Sequence, residues 1–136
     1  MAIIVYNRAT EDHSSNFNNY PIYRGGSVLG NPYTDKPLQG TLAVFKARNR
    51  EDAIEKYSSY FDAQYGRNIE FTKIVDEIYE KYKNGETIYL ECYCYPKPCH
   101  GNVIVEKLQK RLLKEKIKEA KEKMNDKKQR KMAEVL

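Results

Sequence analysis

Between residues 50 and 85 the apolar residues recur twice at helical spacing, and this pattern restricts the fold more than any other stretch. In REDAIEKYSSYFDAQYG, Ala53, Ile54, Tyr57, Tyr60 and Phe61 fall at i, i+1, i+4, i+7 and i+8, one stripe that must be buried against something. Gly66 ends that helix, since a glycine accepts the left-handed backbone of a helix stop. In NIEFTKIVDEIYEKYKNG the same pattern returns at Phe71, Ile74, Val75, Ile78 and Tyr82, ended by Asn84-Gly85. Strands supply the partner surface. AIIVY, residues 2–6, is short, apolar and β-branched; ETIYLECYCY, residues 86–95, puts Ile88, Leu90, Cys92 and Cys94 on one face by the two-residue period. A third helix begins near Asn102, with Ile104, Leu108 and Leu112 and then Ile117, Ala120 and Met124 along one edge. The order strand, helices, strand, helix predicts an α/β fold: a single Rossmann-like domain with a small central sheet, flanking helices and a long basic C-terminal helix. NRATEDHSSNFNNYP reads as a loop, IYRGGSVLGNPYTDKPLQG as an elaborate irregular one, and TLAVFKA as a further strand.

A chain of 136 residues holds one hydrophobic core. With 32% charged and 40% hydrophobic residues it reads as an ordered soluble protein, and its apolar runs fall far short of a membrane span, so no membrane partner is expected. The N-terminal MAIIVYNR has neither a basic leader nor a cleavage site. Three cysteines crowded together do not make the spaced framework of a secreted domain, which points to a reducing cytoplasm. The net charge of +5 is uneven: Lys107 to Lys131 carry twelve Lys/Arg against four Asp/Glu, a net +8 that leaves −3 for the remainder. The chain therefore divides into a ligand-binding domain, 1–113, and a basic helical extension, 114–136.

Two stretches carry chemistry. In YRGGSVLGNP, Gly25, Gly26 and Gly30 let the backbone approach a ligand, Ser27 adds a small hydroxyl, and Arg24 offers a planar fork matching phosphate or carboxylate. The spacing fits neither a Walker A loop nor a dinucleotide fingerprint, so an ordinary turn-rich surface loop stands beside the ligand reading.

The second is ECYCYPKPCHGN, which holds all three cysteines and His100. Cys92, Cys94, Cys99 and His100 are ligand types that tetrahedral zinc accepts, although structural sites draw on two separated pairs. Alternatively Cys99, at the start of a helix whose N-terminus favours a thiolate, works as a nucleophile with His100 as base; these two are the catalytic candidates. Otherwise Cys92 and Cys94 are small core residues on the inner face of the strand, the reading that suits Cys92 best. A fourth reading places Cys99 and His100 in a ligand site at the carboxyl end of the strand, where open α/β sheets bind anions against helix N-termini.

Together, YRGGSVLGNPY and LECYCYPKPCHGNVI resemble the family called domain of unknown function 4326, small proteins of bacteria, archaea and their viruses. Its pattern maps here onto Arg24, Gly30-Asn31-Pro32-Tyr33, Arg50 at the head of a helix, and Cys92, Cys94, Pro96, Cys99, His100 and Gly101. Tyr33 stands where many members carry Phe, and Asn102 where many carry an acidic residue. The resemblance implies that Arg24, Asn31 and Arg50 face Cys99, His100 and Gly101 across one pocket for an anionic, nucleotide-like molecule. It further implies a phage protein that sequesters a host signalling nucleotide, an anti-defence role.

Two alternatives stand beside that expectation: a thiol- or histidine-dependent enzyme acting on a nucleotide or nucleobase, and a nucleic-acid-binding protein using the basic helix. That helix also offers an apolar edge for a homo-oligomer.

Overall fold

The computed structural model describes residues 2–38 and 41–135, with side chains to residue 126. The fold is α/β. Its elements are β1 (Ala2–Asn7), β2 (Asn19–Pro21), β3 (Tyr33–Thr34), β4 (Phe45–Lys46), α1 (Arg50–Gln64), α2 (Ile69–Lys83), β5 (Thr87–Cys92) and α3 (Gly101–Val135). Three strands form a parallel sheet in the order β1-β5-β2, with Tyr6 opposite Glu91 and Asn7 opposite Cys92. β3 and β4 form a separate parallel pair.

β5 runs through the middle of the sheet and is the most buried strand. Ile88, Leu90 and Cys92 alternate on one face and are almost inaccessible, as the two-residue period requires. The helices supply the core around them. α1 buries Ala53, Tyr57 and Phe61, α2 buries Phe71, Val75, Ile78, Tyr79 and Tyr82, and Phe61 meets Phe71 edge to face at 5.2 Å. Both helices start on asparagine caps: Asn49 accepts from the Asp52 N–H and Asn68 from the Phe71 N–H. Asp52 is buried in the first turn of α1. The Arg48 N–H bonded to its carboxylate, with Lys56 and the Arg48 side chain beside it, holds its carboxyl down at about 2.

On the other face of the sheet, residues 8–18 fold over Tyr6, Tyr89 and Glu91. His13 stacks on Tyr89 at 4.1 Å and meets Tyr6 edge-on at 4.8 Å. Glu91 is only 4% exposed and accepts from the Tyr6 hydroxyl and the Asn19 amide.

The stretch expected to be wholly loop, residues 7–21, contains β2, and only Phe45 and Lys46 of the expected strand 41–47 are extended and paired. β2 is too short and too polar to carry a period. It exists because β5 offers it a free edge. The ten-residue strand expected over 86–95 stops at Cys92, where the chain turns through Tyr93 to Pro98 with a cis Tyr95–Pro96 bond.

The chain divides into two compact units after Val105. The second unit carries the rest of α3. Leu108 and Leu112 are buried, whereas Leu113, Ile117 and Met124 are exposed. Among the described residues no helix is long and apolar enough to cross a membrane.

A candidate ligand cavity lined by two arginines and three thiols

The glycine loop and the cysteine turn meet. A cavity of about 570 Å³ lies at the carboxyl end of β5, and Arg24, Asn31, Arg50, Cys99 and His100 all line it together with Cys92 and Cys94. Its size falls within the roughly 300–1,000 Å³ usual for small-molecule sites. Tyr23, Tyr33 and Tyr93 contribute aromatic rings, and Tyr23 and Tyr93 meet edge to face at 5.1 Å. Two residues far apart in sequence supply the cations. Arg24 comes from the glycine loop and donates to the Thr41 hydroxyl at 3.2 Å; Arg50 opens α1 and donates to the Pro98 carbonyl at 3.2 Å. Both guanidiniums are exposed, and among the described residues neither is in ion-pair range of a carboxylate.

Five of the predicted site residues do not line the cavity: Gly25, Gly26, Ser27, Gly30 and Gly101. They shape it instead. Gly25 takes a left-handed φ of +85°, where a side chain is strained. A Cβ on Gly30 would stand 2.9 Å from the Arg24 Cα, so the loop closes on itself there. The Ser27 hydroxyl donates to the Pro21 carbonyl and accepts from the Leu29 N–H. The N–H groups of Gly26 and Gly30 donate to the carbonyls of Tyr23 and Ser27. The loop therefore spends these amides on its own conformation rather than on a ligand.

α1 and α3 hold this loop from two sides. The buried Asn31 amide donates to the Ala53 carbonyl while its oxygen accepts from the Tyr33 N–H, and the Tyr57 hydroxyl donates to the Leu29 carbonyl at 2.7 Å. His100 reaches the Ile22 carbonyl through Nε2 at 2.6 Å and meets the Tyr57 ring edge-on. Burial holds this imidazole neutral, its pKa lowered to about 4, so Nε2 carries the hydrogen given to Ile22. His100 lines the cavity, but its accessible donor is already committed to the backbone.

The start of α3 is likewise occupied. The Gly101 N–H donates to the Cys99 sulfur at 3.3 Å, Asn102 to the Cys99 carbonyl, and Val103 and Ile104 to the His100 carbonyl. The helix end thus satisfies itself, and the arginines are left as the groups open to an anion.

The three thiols are free and line the same cavity. Cys99, buried, donates to the Cys92 sulfur at 3.9 Å. Donation of its S–H to Cys92, with the Cys94 sulfur nearby and burial added, pushes the Cys99 thiol up, the reverse of the lowering expected from a helix N-terminus. The Cys99 S–H pulls Cys92 and Cys94 down, and the positive charges of Arg50 and Arg24 on the same cavity lower Cys94 further. His100 points to Ile22 instead, and among the described residues no group of three His, Cys, Asp or Glu side chains is arranged to hold a metal ion. The sequence marks Cys94 only as a candidate zinc ligand; that it shares a cavity wall with Arg50, 44 positions upstream, is signalled by no local spacing.

A parallel α/β sheet with an arginine-lined cavity beyond its central strand defines the general class. A family profile described as Domain of unknown function (DUF4326) matches residues 5–110, and the chain belongs to that family. No curated protein and no solved structure matches it.

Proposed function

We propose that the protein binds a phosphorylated, nucleotide-like small molecule in this cavity. The observation that carries the reading is the pair Arg24 and Arg50, without carboxylate partners among the described residues, facing a space also bordered by Tyr23, Tyr33 and Tyr93. Guanidiniums match phosphate oxygens in a planar fork, and aromatic rings give a nucleobase a surface to stack on. A Rossmann-like reading of the sheet supports the same conclusion: β5 is central, its neighbours are parallel, and α3 starts beyond its carboxyl end, the region where open α/β sheets take ligands. Binding is favoured over acid–base turnover because, among the described residues, Asp35 is the one carboxylate bordering the cavity and His100 is neutral and bonded to the Ile22 carbonyl. Capture of a signalling nucleotide by a virus-encoded copy is the biological form this reading takes.

Native mass spectrometry of the purified protein, followed by thermal shift against 5′-nucleotides and their parent nucleosides, tests it. The expected result is stabilisation by one or more nucleotides and by none of the nucleosides. Equal response to both, or to neither, overturns the reading.

A further inference from the structure

From the wall of the same cavity we infer that Cys92 and Cys99 are a peroxide-sensitive dithiol that closes to a disulfide and reopens on reduction. This is a modification site separate from ligand binding, and its test needs no ligand. Four placements support the pair. The Cys99 S–H donates to the Cys92 sulfur at 3.9 Å, so two thiols seven positions apart in sequence are already in contact. Their residues are only 1% and 3% exposed, yet both border the cavity, so an oxidant small enough to enter there reaches them. Cys92 is the last residue of β5 and is fixed by the sheet: it pairs with Asn7, and its carbonyl accepts from the Arg8 N–H at 2.9 Å. Cys99 stands just ahead of α3, where the Gly101 N–H donates to its sulfur at 3.3 Å, a contact that steadies negative charge on that atom.

The chemistry balances with a peroxide as the oxidant. The S–H donated by Cys99 favours the thiolate at Cys92, which makes Cys92 the attacking sulfur. That thiolate attacks one peroxide oxygen, the O–O bond breaks, and Cys92 becomes a sulfenic acid. The leaving hydroxide takes up the proton that Cys92 lost and departs as water. The Cys99 sulfur then attacks the sulfenic sulfur; the S–O bond breaks, a second water departs with the Cys99 proton, and the disulfide forms. Two thiols and one peroxide give one disulfide and two waters. Cys99 keeps its proton while it donates to Cys92, oxidation of Cys92 removes that thiolate acceptor, and the Gly101 N–H remains to support the Cys99 sulfur as the proton leaves.

Hydrogen peroxide at matched doses, followed by alkylation in urea and mass mapping, is the experiment. In the folded wild-type chain the three alkylatable thiols are expected to fall to one, Cys94. The product lacks two hydrogens, maps to Cys92–Cys99 and is reversed by dithiothreitol. Cys94→Ser closes the same disulfide at the same dose, and its two thiols fall to none. In Cys99→Ser, checked for folding by circular dichroism, the sulfenic acid at Cys92 has no resolving partner and is trapped by dimedone; if that variant does not fold, Cys94→Ser and the wild type decide. The chain oxidised while unfolded in urea is expected to give all three pairings, since nothing there sets Cys92 against Cys99. A disulfide in the folded wild type that joins Cys94 to Cys92 or Cys99 overturns the inference. So do a Cys94→Ser chain that stays reduced at a dose that oxidises the unfolded chain, and a folded Cys99→Ser chain without the dimedone adduct at Cys92.

Discussion

His100 is 7% exposed, donates through Nε2 to the Ile22 carbonyl and packs on the Tyr57 ring. An imidazole in such surroundings resists a proton, and its folded pKa of about 4 lies below the ordinary 6.5. The sign follows directly. Above pH 6.5 both folded and unfolded chains hold it neutral; as pH falls, the unfolded chain takes up the proton first and stability declines, levelling once the folded form titrates near pH 4. At one pH unit per 1.36 kcal/mol the loss is about 3 kcal/mol. His100→Gln, which keeps a donor at the same reach, is expected to show a shallower decline over that window in urea titrations. Equal slopes would mean the imidazole is accessible to protons in the fold. Arg50 and Arg24 make the second residue-scale expectation. Each charge-assisted hydrogen bond to phosphate contributes about 1.5–3 kcal/mol, so either arginine-to-alanine change weakens nucleotide binding roughly 10- to 100-fold. Neither is buried, and neither change is expected to lower the melting temperature.

At the scale of elements, the glycine loop is held by α1 on one side and by His100, just before α3, on the other. Gly30→Ala sets a Cβ 2.9 Å from the Arg24 Cα, a clash with backbone rather than with a movable side-chain end. A cost of about 1–3 kcal/mol is expected by chemical denaturation, with weaker nucleotide binding because Arg24 is displaced. Tyr57→Phe removes the hydroxyl that donates to the Leu29 carbonyl and is expected to cost about 1–2 kcal/mol. Where an element had a long period, the sequence disclosed it. The stripes of α1 and α2, the inward Ile88, Leu90 and Cys92 of β5, and the start of α3 at the CHG motif could all be read directly. β2, β3 and β4 could not, since two or three residues hold no period and their pairing depends on neighbours distant in sequence. Glu91 was hidden for a related reason. The alternation of β5 assigns it to the outer face, and only the fold of residues 8–18 over that face buries it. For the site, the meeting of Arg24, Asn31 and Arg50 with Cys99 and His100 was anticipated from the family pattern. The self-satisfied amides of the glycine loop and of the α3 start were not, because which acceptor an N–H meets depends on three-dimensional closure.

For the molecule as a whole, the charge excess is confined to α3. Leu113, Ile117, Ala120 and Met124 recur at steps of four, three and four, and Glu115, Glu119, Glu122 and Asp126 do the same on the opposite side. Lys114 and Lys121 flank the apolar row on one edge, Lys116 and Lys123 on the other. The two partners considered for this helix respond to salt in opposite ways. Pairing of copies through the row brings lysines together, so association tightens as salt screens them; nucleic-acid phosphate contacts weaken with salt because counterions are released. Sedimentation velocity and DNA or RNA retention across a salt series separate them, and deletion of residues 114–136 is expected to abolish whichever occurs. If association and retention are both unchanged by salt and by the deletion, the helix serves neither role. The cavity claim is tested most directly by calorimetric titration of the nucleotide that gives the largest thermal shift, into the wild-type protein and into Arg24→Ala, Arg50→Ala and the double variant. The account predicts saturable binding in the wild type, a roughly 10- to 100-fold loss in each single variant and no measurable heat in the double. Undiminished affinity in the double variant would contradict it.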